Sequence, residues 1–288
     1  MAQLDHIVLL LSSPDYENPP PWLSDYFTIT EGGTHTGQSS RNKLIFFKDG
    51  TYLELFNWFD DPPDADDEKQ PMGVWGRKHP GLIDFALTSL DSPEDYVDGL
   101  NRRLKDNDLG VIYHQPVSGG RKRADGMDVK WKVSRPKFHN ASHTPSHAFF
   151  PGGRLDAPFF CHDVTERNLR ALFDDEKATT HPSGAIGISE VRVLVPQGAL
   201  KDYTPLYQGI CDAEEVIKEG RDAAGIKIAV PVSGARSSRI SIRAAEEMER
   251  IRERGVGISD LVISTGTAGP KEAKQLGRHG IASTIWIA

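Results

Sequence analysis

Short runs rich in β-branched and aromatic residues recur along this chain, separated by clusters of Gly, Pro, Asp and Ser, the punctuation of a strand-rich protein. Leu4–Leu11 reads as a strand, Pro14–Pro21 as a proline-rich loop and Trp22–Tyr26 as a short helical or turn segment. A Gly/Ser/Thr-rich loop from Glu31 to Ser40 leads into strands at Lys43–Phe47 and Thr51–Phe56, joined by the Lys48-Asp49-Gly50 turn. Asp-Gly tolerates positive φ, which is what a tight hairpin requires.

The order repeats further on. Leu82–Thr88 is a strand, and Ser92-Pro93-Glu94-Asp95 opens a helix running to about Asp106, with Ser92 at the N-cap and Pro93 in the first turn. Strands follow at Val111–Gln115, Val129–Ser134 and Pro158–Val164. Residues 4–59 and 81–164 thus each read as βαβββ, and repetition at this scale is architectural information. A third, looser copy has a strand at Ile188–Val195, a helix at Gly198–Ile210, and strands at Glu215–Lys218, Ile226–Val232 and Arg239–Arg243. A charged helix at Ala245–Arg254 and strands at Leu261–Thr265 and Ala282–Ile287 complete the chain. The expected class is α+β: a domain of two modules over residues 1–180, and a C-terminal βαβββ-like module over 181–288 with no obvious chemistry.

Composition narrows the options. The 288 residues have room for a sizeable core, and the formal charge of −7 gives little footing for sequence-independent nucleic-acid binding. No apolar stretch approaches a membrane span, and no basic n-region precedes Ile7–Leu11, so neither a membrane nor a leader is expected. Two cysteines, Cys161 and Cys211, fit a reducing compartment, and the cytoplasm is the expected location. The acidic, proline-punctuated stretch Asp60–Glu68 reads as a solvated linker, and His139, His143 and His147, with Pro145 among them, as a loop.

Strand period two puts His6 on a face with Val8 and Leu10, and Glu54 on a face with Tyr52, Phe56 and Trp58. A carboxylate on an aromatic face has to be paired, neutralised or metal-bound. On the last strand of the second repeat His162 shares a face with Phe160, and Cys161 faces the other way. Singly, a strand histidine is more often a hydrogen-bonded core residue; the matching places of these three within a repeat are what single them out. His35, Arg41 and Asn42 flank a loop that could enter a cavity mouth. Arg121, Lys122, Arg123, Lys130 and Lys132 form a basic cluster, read first as a solvated hairpin and second as a site for an anionic group.

Leu4-Asp5-His6-Ile7-Val8, Gly32-Gly33-Thr34-His35 and Thr51-Tyr52-Leu53-Glu54-Leu55 resemble the glyoxalase-like domain family of the vicinal-oxygen-chelate superfamily. Arg123-Ala124-Asp125-Gly126, Lys130-Trp131-Lys132, Pro158-Phe159-Phe160 and Thr180-His181-Pro182-Ser183-Gly184-Ala185 extend the resemblance over about residues 4–195. It implies paired modules forming an incomplete barrel around a cavity. His6, Glu54 and His162 would then hold a divalent metal (Zn, Ni, Co, Mn or Fe), with Glu54 and His6 catalytic. His35, Arg41, Asn42, Tyr52, Arg123 and Trp131 would contact a small oxygenated substrate that chelates the metal through vicinal oxygens. Where a fourth ligand is expected the chain offers Ile83-Asp84, which leaves Asp84 doubtful. The implied chemistry is of lyase or isomerase type; an extradiol-type iron dioxygenase and a non-catalytic binding protein are the alternatives. Two consecutive modules favour closure within one chain over closure across a homodimer.

Overall fold

The computed structural model describes all residues except 37–38, 60–74, 76–77, 124, 140–156, 247, 267–273 and 277–283. The Asp60–Glu68 stretch and two of the three loop histidines, His143 and His147, therefore lie outside the described residues.

The first half of the chain runs β1 (Gln3–Leu10), α1 (Ser13–Glu17), α2 (Pro21–Ser24), β2 (Thr30–His35), β3 (Ser40–Phe46) and β4 (Tyr52–Trp58). Then come β5 (Gly81–Thr88), α3 (Pro93–Asp106), β6 (Val111–Tyr113), β7 (Val117–Arg123), β8 (Asp128–Ser134), β9 (Pro136–Phe138) and β10 (Phe159–Asp163). Eight of these strands close a barrel in the order β1-β4-β3-β2-β7-β8-β10-β5, within a single chain and without the gap that the family resemblance implies. β1 runs parallel to β4 and β5 parallel to β10, while β1–β5 and β2–β7 make the two antiparallel seams.

The start of α3 follows its sequence signal: Ser92 is the N-cap, and its hydroxyl accepts the Asp95 backbone N–H at 3.3 Å. One strand does not. The predicted strand at Val111–Gln115 is β6, which pairs with β9 outside the barrel. The barrel takes β7 instead, whose sequence Val-Ser-Gly-Gly-Arg-Lys-Arg has almost no apolar alternation to betray it. β7 is held by its hairpin partner β8, where Gly119 lies opposite Trp131.

The remainder comprises α4 (Arg167–Arg170), α5 (Glu176–Thr179), β11 (Ala185–Val195), α6 (Leu200–Cys211), β12 (Ile217–Lys218), β13 (Ala223–Ile228) and β14 (Ser238–Ala244). It ends with α7 (Met248–Arg254), β15 (Gly257–Thr265), β16 (Lys274–Leu276) and β17 (Thr284–Ile287). The strands form one seven-stranded sheet, β12-β13-β14-β11-β15-β17-β16. Its order β11-β14-β13-β12 repeats the barrel order β1-β4-β3-β2, again with the first strand parallel to the last.

Barrel and sheet share one core. Leu4, Ile7 and Leu9 on the outward face of β1, Phe160 on β10 and Leu100 on α3 belong to the same buried cluster as Val191, Tyr207 and Ile263. The barrel strands are therefore apolar on both faces, which is why β1, β4 and β5 read as nearly continuous hydrophobic runs. The Lys48-Asp49-Gly50 turn is wedged into the sheet. Asp49 accepts from the backbone and hydroxyl of Thr51 at 2.8 and 2.6 Å and from the Ile188 N–H at 3.1 Å. Burial there pushes its carboxyl up to about 6 against these hydrogen bonds. Gly50, at φ 86°, has no room for a side chain, since a Cβ would lie 3.0 Å from Pro231.

Candidate active site

Residues of β1, β2, β3, β4, β7, β8 and β10 line a cavity of about 430 Å³, within the range of small-molecule sites. Its wall carries the aromatic side chains of Phe56, Trp58, Trp75, Trp131 and Phe159. Its polar end is built from His6 on β1, His35 on β2, Asn42 on β3, Glu54 on β4 and Arg121 on β7.

Glu54 is the hub. Asn42 Nδ2 donates to Glu54 Oε1 at 2.6 Å, and His35 Nε2 lies 3.3 Å from the same oxygen. His6 Nε2 faces the other oxygen, Oε2, at 3.6 Å. Burial alone would raise the carboxyl pKa, but the His35 hydrogen bond, the two imidazole charges and the Asn42 amide outweigh it and hold Glu54 down at about 2. The carboxylate is thus ionised although the residue is 7% exposed.

Each imidazole is fixed from behind. Asp5 Oδ2 lies 2.6 Å from His6 Nδ1, and the ring stacks on Tyr52 at 4.6 Å between centroids. Asp5 has no accessible surface, yet Arg170, Arg167 and His6 overcome its desolvation and hold it well below the usual carboxylate range. An ionised Asp5 accepts the Nδ1 proton, so His6 presents Nε2 to the cavity. His35 Nδ1 meets Ser40 Oγ at 3.0 Å, and its ring lies over Phe56. The Asn42 amide is oriented by its two neighbours: Arg121 donates to Oδ1 at 3.1 Å while Nδ2 serves Glu54.

Behind the cavity Arg170 binds Asp5 through both terminal nitrogens at 2.8 and 3.0 Å, donates to the Tyr52 hydroxyl at 2.7 Å and reaches Asp163 at 2.6 Å. Arg167 reaches Asp5 and Asp163 at 2.6 and 3.0 Å. Two carboxylates thus meet two guanidinium groups in a network with Asp5 and Arg170 buried and Asp163 and Arg167 half-buried.

His6, Glu54, His35, Asn42, Tyr52 and Trp131 all line this cavity. Others do not. His162 does not converge with His6 and Glu54. It points out of the barrel toward α3, stacked on Phe160 at 5.7 Å and next to Tyr96, with Nδ1 3.4 Å from Ser89 Oγ. Cys161 takes the inward position. The period-two pattern pairs His162 with Phe160 correctly; which face meets the cavity is undecided by pattern when Phe159, Phe160, Cys161 and His162 are all buried. Asp84 accepts the Trp75 indole N–H at 2.8 Å and the Phe85 N–H at 2.8 Å. Arg41 turns outward to Glu17 at 2.7 Å and lies over the Tyr16 ring at 4.4 Å; Arg123 pairs with Asp125 at 2.9 Å.

The predicted metal set of His6, Glu54 and His162 therefore does not fit this geometry. Among the described residues, β8 and β10 line the cavity with Trp131, Val133, Phe159 and Cys161, which supply no imidazole or carboxylate. Burial pushes the Cys161 thiol well above its usual range, so it is no ready thiolate. Among the described residues no group of three or more His, Cys, Asp or Glu side chains is arranged to hold a metal ion.

Sequence reasoning gave no role to Asp5, Ser40 or Arg170, and gave Arg121 one only in the second reading of the basic cluster, as a site for an anionic group. Asp5 had a signal, an acid directly preceding the candidate histidine. Arg121 is hidden in a basic run that reads as solvated, and Arg170 comes from a four-residue helix with no pattern of its own.

Among the described residues no helix is long and apolar enough to cross a membrane. No curated protein matches the chain in sequence. Its fold is that of a hypothetical protein from Staphylococcus aureus, with a TM-score of 0.69 at 14% identity over 100% of this chain and 99% of that one. A Mn(II)-bound glyoxalase from Novosphingobium aromaticivorans aligns with a TM-score of 0.49 and 10% identity, over 99% of this chain and 81% of that one. An extradiol ring-cleaving dioxygenase from B. fuscum gives 0.49 and 12%, over 99% and 70%. The sequence profile of the glyoxalase-like domain matches residues 4–208, a span that holds the whole barrel and every polar residue of the cavity. The chain belongs to the glyoxalase-like domain family.

Proposed function

We propose that this protein is an enzyme of glyoxalase type, a lyase or isomerase, that binds a small oxygenated organic molecule in the barrel and moves a proton on it. One observation carries the reading: an ionised, buried carboxylate, Glu54, stands between two imidazole nitrogens at the polar end of an aromatic cavity. A carbon acid fits this arrangement. The C–H bond beside a carbonyl breaks, its proton passes to a Glu54 oxygen, and the electron pair moves onto the carbonyl oxygen. His6, oriented by Asp5, gives that oxygen a proton through Nε2 and takes one back from the hydroxyl on the deprotonated carbon, which becomes the new carbonyl; Glu54 returns its proton to the former carbonyl carbon, and the isomerisation is complete. No oxidant is consumed. The aromatic wall excludes water and holds the body of the substrate.

The test is hydrogen exchange from carbon. Wild-type protein and Glu54→Gln are incubated in D₂O with 2-hydroxy ketones, 2-keto acids and hemithioacetals, and loss of the C–H signal is followed by proton NMR. The reading expects exchange with at least one compound, falling roughly a hundredfold or more in the variant. Ligand binding without exchange would make the protein a binding module. Stoichiometric Zn, Ni, Co or Mn required for turnover would replace the metal-free form of the reading. Iron with oxygen uptake would replace it with an extradiol-type dioxygenase.

A further inference from the structure

The charges of the cavity do not balance. Among the described residues its lining holds one carboxylate, Glu54, and the guanidinium groups of Arg121, Arg135 and Arg170. Arg170 is matched by Asp5 and Asp163. Arg135 lies over the rings of Trp75 and Phe159 at 6.0 and 5.9 Å. Glu54 is already engaged by Asn42 and His35 and faced by His6.

Arg121 is different. It is 6% exposed, and its two hydrogen bonds go to neutral oxygens: the Asn42 side chain at 3.1 Å and the Arg170 carbonyl at 3.1 Å. Its Nε–H has no partner. Among the described residues no carboxylate lies within ion-pair distance of it. Of five N–H groups two are used, and a buried guanidinium with no counter-charge is unfavourable unless something supplies one. Solvation by the Asn42 and Arg170 oxygens is weak compensation, and burial is the main influence drawing its proton affinity down.

From the bare Arg121 in the wall of an aromatic cavity we infer that the natural ligand is an aromatic or cyclic carboxylate, its anionic group set on Arg121 and its ring against Phe56, Trp58 and Trp131. This deepens the proposed function and rests on the barrel cavity being its ligand site. A carboxylate on Arg121 makes charge-assisted hydrogen bonds to a buried guanidinium, where they are stronger than at an exposed one. The apolar remainder then lies along the aromatic wall, which begins at Phe56, packed on the ring of His35 beside Glu54.

The experiment uses 2-naphthoate and its uncharged analogue 2-naphthamide, titrated into the full chain while the cavity tryptophans report binding by fluorescence. Naphthoate is expected to bind about tenfold or more tightly than the amide, a difference of about 1.4 kcal/mol. Arg121→Gln, which can still donate to Asn42, is expected to bring the two affinities together, and Arg121→Lys to keep part of the difference. Equal affinities in the wild-type protein, or no binding of either compound, overturn the inference without recourse to any variant. A discrimination that survives in a folded Arg121→Gln overturns it too. Preferential binding of the acid with no carbon-bound hydrogen exchange would sink the catalytic reading and leave this one standing.

Discussion

Cys161 and His162 are neighbours in the chain that point to opposite sides of the barrel wall: the thiol into the cavity, the imidazole into the packing beneath α3. His162 Nε2 has no hydrogen-bond partner there, so the ring behaves as a flat apolar plate between Phe160 and Tyr96. His162→Phe is accordingly expected to melt no lower than the parent and to bind cavity ligands within about twofold of it, since no contact with the site is removed. Cys161→Phe should instead obstruct the cavity and weaken the same ligands. Fluorescence titration with parallel thermal melts decides; lost binding in His162→Phe alone would return that histidine to the site.

The same ring sets a pH dependence. Burial pulls His162 down to about 4 from 6.5, so the unfolded chain takes up this proton first as pH falls. The neutral ring's contribution is complete above 6.5 and is lost on acidification through that window. Asp49 acts in the other direction. Its folded value of about 6 lies above the ordinary 3.8, so its contribution is complete below 3.8 and lost as pH rises through 6. Each effect is on the order of 3 kcal/mol at full extent, and they nearly cancel between pH 4 and 6. Denaturant melts across this range should be steeper with pH in the variants than in the parent. His162→Phe should lose stability as pH rises, and Asp49→Asn should lose it as pH falls.

Asp5 is the most exacting carboxylate in the molecule. Asp5→Asn leaves Arg170 and Arg167 buried with a deficit of negative charge and removes the acceptor that orients His6. Breaking one partner of such a network typically costs about 3–5 kcal/mol. The variant is expected to lose stability on that scale, measured by chemical denaturation at neutral pH. Because Asp5 is held below its ordinary value, its contribution is present above 3.8 and fades as pH falls, so the gap between parent and variant should narrow in acid.

Gly32 leaves the space that Asn42 and Arg121 occupy. A Cβ at this position would lie 2.0 Å from Asn42 Oδ1, 2.6 Å from Asn42 O and 2.7 Å from Arg121. The backbone oxygen cannot swing away as a side chain can, so β2 and β3 would have to separate. Gly32→Ala should cost about 1–3 kcal/mol in stability. It should also shift Asn42 off Glu54, weakening carboxylate ligands with little change in secondary structure by circular dichroism. Unchanged affinity would mean that the Asn42–Arg121 contact does not matter for binding.

Much of this site was legible because β1 and β4 carry their polar residue at a parity the sequence displays. His6 and Glu54 stand out among apolar neighbours, and period two places them on one side. Legibility ended where both faces of a strand are buried for different reasons. On β10 the inward face meets the cavity and the outward face meets α3, so the apolar pattern has no phase. It failed differently at β7, where a basic, glycine-bearing strand is held by backbone pairing and by Trp131 across from Gly119. Arg121 was therefore readable as a cation but not as a buried one.

The way the barrel closes also sets how the chain must find it. The β2–β7 seam joins Gly33 to Arg123, about ninety residues apart, and β1 reaches across to Ala229, more than two hundred residues on. Few of the contacts that bring Glu54, His35 and Arg121 together are local, so the loop-closure entropy falls due before the site gains anything from it. Folding should be slow for a chain of this size, with the cavity assembled only in its last stage. Until then the strand edges flanking β2 and β7 are unpaired, and that is the interval in which this protein is most prone to associate with its own copies.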